Sequence, residues 1–176
     1  NAVFRATNGG RMDLYARNGF NNTNGKIEAL ANSTVAIYST EITSGIVSSA
    51  ATGTIAFPDG NTGRGGLVIT NAGTTTFGAG GGTREFSGTA NGGSTLINSG
   101  TIRKTASGDY SVRTALNSTG SIVVESGVLR MFGGGTVNAN NFSIATGTDL
   151  TFQGAAAYTF SGVITSSGGG MISIDD

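Results

Sequence analysis

The chain has 176 residues, ten basic side chains balanced by ten acidic ones, 37% hydrophobic residues and only 11% charged residues. That length suits a single domain with a core, and the charge balance leaves no electrostatic footprint for nucleic acid or an anionic membrane surface. With no Cys and no His, disulfides, thiolate or imidazole metal sites, cysteine nucleophiles and Ser-His-Asp arrangements are excluded.

Thirty-one glycines stand beside one proline, Pro58, in a background of Thr, Ser and Asn. The glycines do not fall at every third position, so the chain is not collagen-like, and it is too rich in Ile, Val and Phe for a disordered tail. Glycine here punctuates strands. No apolar run approaches the length of a membrane span, and the opening NAVFRATNGG has neither a basic nor an apolar leader region. The first residue is not Met, which is read as processing or excision, with any signal peptide or anchor outside the chain. A Cys-free, Thr/Ser/Asn/Gly-rich composition fits a secreted protein on the exposed surface of a prokaryotic cell.

Residues 1–24 are the least repetitive stretch and are expected to form one or two strands that cap the fold, with residues 25–176 as one continuous repeat domain. Residues 25–31 contain the helix formers Lys26, Glu28 and Leu30. Ile27, Ala29 and Ala31 also alternate, and β-branched Thr34, Val35 and Ile37 follow, so a strand is expected there.

From this point glycine spacing organises the chain. Gly25 and Gly45, Gly53 and Gly73, Gly100 and Gly120, and Gly127 and Gly147 are each 20 apart, while Gly73 to Gly100 and Gly120 to Gly147 are 27. Phe57 and Phe77, and Phe132 and Phe152, repeat the interval of 20. After the glycines come similar segments, such as Gly53-Thr54-Ile55-Ala56-Phe57 and Gly120-Ser121-Ile122-Val123-Val124. Alternation sends Ile55 and Phe57 to one side and Thr54 and Ala56 to the other. The clearest unit is residues 96–131, where Leu96-Ile97-Asn98-Ser99-Gly100-Thr101-Ile102 is echoed by Leu116-Asn117-Ser118-Thr119-Gly120-Ser121-Ile122.

Such a period predicts a right-handed parallel β-helix, a β-solenoid with coils of about 20–27 residues that bury their inward side chains only by stacking. About eight or nine coils would give a rod roughly 40 Å long. The all-β alternative is an antiparallel sandwich, whose hairpins would use Asn8-Gly9, Asn18-Gly19, Asn24-Gly25 and Asn91-Gly92. Glycine runs at 78–82, 133–135 and 168–170 are expected to be turns.

Residues 67–152, with NSGTI followed by NSTGSIVVESGVLRM, resemble the β-strand repeats of large bacterial surface proteins, the autotransporter passengers and filamentous-haemagglutinin-like adhesins. The resemblance implies a parallel β-helix, secretion and an adhesive or structural role. It carries no catalytic motif.

Chemistry is sparse. Asn71, Asn98 and Asn117 precede the turn glycines Gly73, Gly100 and Gly120, and such asparagines either hydrogen-bond to their neighbours along the stack or present amides to a sugar. Gly127 and Gly147 mark further turns. Glycoside hydrolysis needs two carboxylates facing one another across a sugar, and stacking could gather Glu41, Asp59, Glu85, Asp109 or Glu125; solvated positions are the simpler reading. Arg84-Glu85 and Arg103-Lys104 are read as outward strand residues or loop charge. Neither a phosphate loop nor a calcium nonapeptide can be read, so no cofactor or metal is expected.

Net neutrality hides an asymmetry. Up to Lys26 the chain carries Arg5, Arg11, Arg17 and Lys26 against Asp13, and beyond Arg130 only Asp149, Asp175 and Asp176 are charged. In a solenoid these groups mark opposite ends, where they either steer copies head to tail or serve as solubilising charges on frayed ends. The sequence therefore points to a non-enzymatic spacer, fibre or surface-layer subunit, with glycans of a host or matrix as further partners. The rival reading is a polysaccharide-binding or polysaccharide-cleaving β-helix.

Overall fold

Three strands per turn, separated by tight corners, wind the chain into a three-sided β-solenoid. The computed structural model describes residues 2–38, 40–64, 66–78, 83–90, 93–138 and 141–175. The strands begin with β1 (Val3–Ala6), β2 (Arg11–Tyr15), β3 (Phe20–Asn21), β4 (Lys26–Ala29), β5 (Thr34–Tyr38), β6 (Glu41–Thr43), β7 (Ile46–Ser49) and β8 (Thr54–Phe57). They continue with β9 (Asn61–Arg64), β10 (Val68–Asn71), β11 (Thr74–Phe77), β12 (Arg84–Ala90), β13 (Thr95–Asn98), β14 (Thr101–Lys104), β15 (Asp109–Val112) and β16 (Ala115–Ser118). The last are β17 (Ser121–Val124), β18 (Val128–Met131), β19 (Gly135–Asn138), β20 (Asn141–Ile144), β21 (Asp149–Gln153), β22 (Tyr158–Ser161), β23 (Thr165–Ser167) and β24 (Met171–Asp175).

Every third strand joins the same sheet. Sheet A runs from β1 through β4 to β22, sheet B from β2 through β5 to β23, and sheet C from β3 through β6 to β24, each with eight described strands. Pairing is parallel, as in Val68↔Thr95, Thr101↔Ser121 and Val128↔Asp149. The coil length varies, from 19 residues between Asn117 and Thr136 to 27 between Asn71 and Asn98. Eight strands per sheet make seven stacking steps, and at about 4.8 Å per step the rod is about 34 Å long.

An antiparallel sandwich is excluded by this pairing. The Asn-Gly dipeptides that suit hairpins serve as solenoid corners: Asn8 and Gly9 between β1 and β2, Gly19 between β2 and β3, and Asn24 between β3 and β4 hold positive φ of 56°, 75°, 83° and 57°. Asn91-Gly92 and most of the 78–82 run lie outside the described residues. Residues 25–31 hold strand β4, and β1, β2 and β3 form a first coil in register with β4, β5 and β6.

Alternation along each short strand builds the core. β8, β10, β11 and β17 all bury the second and fourth of four residues. Ile27, Val47, Ile69, Leu96 and Leu116 thus stack up sheet A, and Val35 and Ile55, then Ile102 and Ile122, up sheet B, all at 0–1% exposure. Phe57 stacks on Phe77 with centroids 5.5 Å apart, and Phe86 meets Phe57 edge-on at 4.9 Å. Each such side chain removes hydrophobic area from water only because the next coil covers it, which ties stability to stacking.

Candidate functional site

The corner between sheets A and B carries a continuous polar row inside the rod. Ser49, Asn71, Asn98 and Ser118 occupy one inward row, in register Ser49↔Asn71↔Asn98↔Ser118. Ser49 Oγ donates to Asn71 Oδ1 at 2.8 Å, Asn71 Nδ2 to Asn98 Oδ1 at 2.7 Å, and Asn98 Nδ2 to Ser118 Oγ at 2.9 Å. Both amides also reach across the corner, Asn71 to the Thr101 carbonyl and Asn98 to the Ser121 carbonyl. All four side chains are buried, so the amides are internal ladder rungs and cannot reach a sugar.

Asn117 does not join them. It pairs in register with Ile97 and projects outward, where its Oδ1 accepts from Thr136 Oγ1 at 2.8 Å. The row falls two residues before each glycine, at Asn71, Asn98 and Ser118, and Asn117 is one residue too early; a shift of one flips a strand side chain to the other face. The glycines themselves form a column. A Cβ on Gly73 would stand 2.2 Å from the Gly53 carbonyl oxygen, one on Gly100 2.1 Å from that of Gly73, and one on Gly120 2.1 Å from that of Gly100. Close approach of backbone to backbone therefore reserves this corner for glycine. Gly127 and Gly147 turn the corner between sheets B and C, with φ of 71° and 78°.

The acidic side chains on the outer surface are bound to arginines one coil away. Glu85 accepts from Arg113 Nε at 2.7 Å, Asp109 from Arg130 at 3.0 Å and Glu125 from Arg103 Nε at 2.9 Å, and Asp59 lies 3.7 Å from Arg84. Arg113 also lies over the Phe132 ring at 4.2 Å. Glu41 sits on β6. Among the described residues no group of three or more acids is gathered that would hold a metal, and each of these four carboxylates faces a guanidinium group.

Lys104 corrects the expectation of an outward charge. It follows Phe77 and precedes Val124 in an inward row of sheet B and is 1% exposed. Its ammonium donates to the carbonyls of Ala106 and Ser126, bridging two stacked corners. Burial pushes its pKa down from the ordinary lysine range. Arg103, by contrast, points outward to Glu125. Tyr110, also fully buried, donates to the Asp59 carbonyl at 2.9 Å, and burial raises its phenol.

The end charges are partly neutralised within the chain. Arg5 Nε donates to Glu28 at 2.7 Å, and Lys26 bridges to the same carboxylate, holding Glu28 below the usual carboxylate range, chiefly through the Lys26 hydrogen bond. Arg11 is tied to Asp13 and Tyr38. Arg17 is exposed and makes no ion pair among the described residues, Asp175 is exposed on β24, and Asp176 lies outside the described residues.

The outer face of sheet B also carries an arrangement the glycine count does not announce. Tyr15 of β2 stacks on Tyr38 of β5 with centroids 4.4 Å apart and planes 10° from parallel. Tyr15 is 71% exposed. The two tyrosines are 23 residues apart, the length of the first coil, so a search at a period of 20 passes over them. No protein-family model, curated protein or solved structure matches the chain.

Proposed function

We propose that the chain is a non-enzymatic structural element of a secreted surface protein, a stiff rod that spaces or displays what it carries and stacks head to tail with copies of itself. The observation that supports it best is where the chemically capable side chains are engaged. The buried amides, the buried lysine and the arginine pairs of Glu28, Asp59, Glu85, Asp109 and Glu125 connect one coil to the next, while Arg11–Asp13 lies within one strand. A hydrolase would need two carboxylates left facing a substrate, at separations set by the mechanism. Four of the five candidates are each held by an arginine.

Head-to-tail stacking draws on the two terminal coils. Among the described residues the outer edges of β1, β2 and β3 and of β22, β23 and β24 are unpaired, and Phe4 and Ile174, which occupy inward rows, are 37% and 61% exposed. Unpaired parallel edges over an apolar end accept a further coil. The resemblance to bacterial surface repeats, the absence of Cys and the hydroxyl-rich faces support a location outside the cell, with host or matrix glycans as further partners.

A spacer has a measurable property. The chain, and a tandem duplicate of it, should be fused between two fluorescent domains and the energy transfer compared. A distance, derived from the transfer, that grows in proportion to the number of coils is the expected result; a distance that ignores coil number would show that the unit does not hold its ends apart.

A further inference from the structure

Strand β2 alternates Arg11, Asp13 and Tyr15 outward with Met12 and Leu14 inward, so three chemically distinct groups share one side of one strand. The next coil supplies Tyr38 opposite Tyr15. Arg11 fixes the group: its Nε donates to Asp13 Oδ1 at 2.8 Å and its Nη2 to the Tyr38 hydroxyl at 2.7 Å. Tyr38 covers one face of the Tyr15 ring and leaves the side chain 71% exposed.

Little of this serves the fold. An aromatic ring left in water forgoes most of the gain from burial, and exposed ion pairs add little to stability. What the cluster does provide is a rigid aromatic platform beside a fixed fork of donors and a carboxylate with an oxygen to spare. A pyranose ring matches that set, because its C–H face stacks on an aromatic ring while its rim hydroxyls both donate and accept. Arg11 and Asp13 cancel in charge, which favours a neutral sugar over a uronate or a sulfated one.

The surface beside the platform is also suited to a polymer. Thr34 lies opposite Arg11 in register, and Thr54, Thr74 and Thr101 continue the row, one hydroxyl per coil. In the row beside it the buried Ala36 is followed by Ala56 and Thr76, so no charge interrupts either row between Asp13 and Arg103. We propose that Tyr15, Tyr38, Arg11 and Asp13 form a binding site for a neutral polysaccharide, with one sugar stacked on Tyr15. This contact is independent of the rod's mechanical role, since a bare spacer needs no such site.

Affinity electrophoresis through gels containing laminarin, galactomannan or polygalacturonate tests it. The expected result is retardation by a neutral polymer and not by polygalacturonate, with Tyr15→Ala losing about tenfold or more in affinity and Tyr15→Phe keeping most of it. Unretarded migration in both neutral gels, retardation by polygalacturonate alone, or equal retardation of Tyr15→Ala would overturn the proposal. Nitration with tetranitromethane gives a readout on the unmutated chain, useful if Tyr15→Ala folds poorly. Of the four tyrosines, Tyr15 should be modified readily and be protected by the retarding polymer. Nitration of Tyr15 at the same rate with and without that polymer would also overturn it.

Discussion

Asn98 accepts from Asn71 and donates to Ser118, so truncating it removes one hydrogen bond from each of two buried neighbours. Asn98→Ala should cost about 2–3 kcal/mol in denaturant unfolding, whereas Asn117→Ala, outside the ladder, should stay within about 0.5 kcal/mol. Equal effects of the two would contradict the register. Lys104 makes a second prediction, of sign. Because burial lowers its folded pKa, the unfolded chain binds the extra proton, and stability should rise with pH from that lowered value up to the ordinary lysine value of about 10.4. In Lys104→Met this rise should vanish from pH-dependent melting curves, with stability at neutral pH within about 1 kcal/mol of the parent. Both residues show what the sequence offered and withheld. Strand alternation pairs Lys104 with Ile102 on one side, and its spacing from Phe77 equals that of Gly100 from Gly73, so its inward position was legible. What masked it was the prior that a lysine is solvated, which fails when an aliphatic stem fills an apolar row and carbonyls meet the ammonium.

At the scale of the coil, part of the recurrence of glycine and phenylalanine carried the fold, because it marks places where one coil touches the next: backbone against backbone at Gly73, Gly100 and Gly120, ring against ring at Phe57 and Phe77. The equal intervals from Phe132 to Phe152 and from Gly127 to Gly147 do not, since Phe152 stands opposite Met131 and that coil advances by 21 residues. The outward clusters were less legible. The Tyr15–Tyr38 pair and the arginine–carboxylate bridges depend on coil lengths between 19 and 27 residues, and outward positions tolerate most residues, so no repeat announces them. The coil as the unit of stability is testable. Deleting residues 100–119 removes β14, β15 and β16, one strand from each sheet, and joins β13 to β17 across the same corner. That protein should keep its β-type circular dichroism and melt cooperatively. Deleting residues 100–109 instead puts later strands on the wrong sheets and should abolish the transition; a similar loss from both deletions would argue against independent stacking of coils.

For the molecule as a whole, the pairing of Arg5 with Glu28 and of Arg11 with Asp13 shifts the basis of the proposed end-to-end association. In the proposed head-to-tail stacking, charge steering would fall to Arg17 and Asp175, and edge pairing would carry the rest. Sedimentation should show concentration-dependent rods that shorten only modestly as salt rises, since salt screens exposed charges and leaves edge hydrogen bonds intact. A strict monomer at high concentration would count against stacking. Within one molecule, association of coils has to solve a similar problem of choosing the correct neighbour. Rows of Ile, Val, Leu and Phe are nearly interchangeable, and a stack built from them alone could settle one coil out of place at little cost. The row that contains Ser49, Asn71, Asn98 and Ser118 continues into Ala29 on one side and Val137 on the other. A slip of one coil would strand an amide or hydroxyl against one of those aliphatic groups. The polar rungs thus work as an address written into a monotonous interior, and they make the central coils, which carry it, the part of the rod least able to assemble out of sequence.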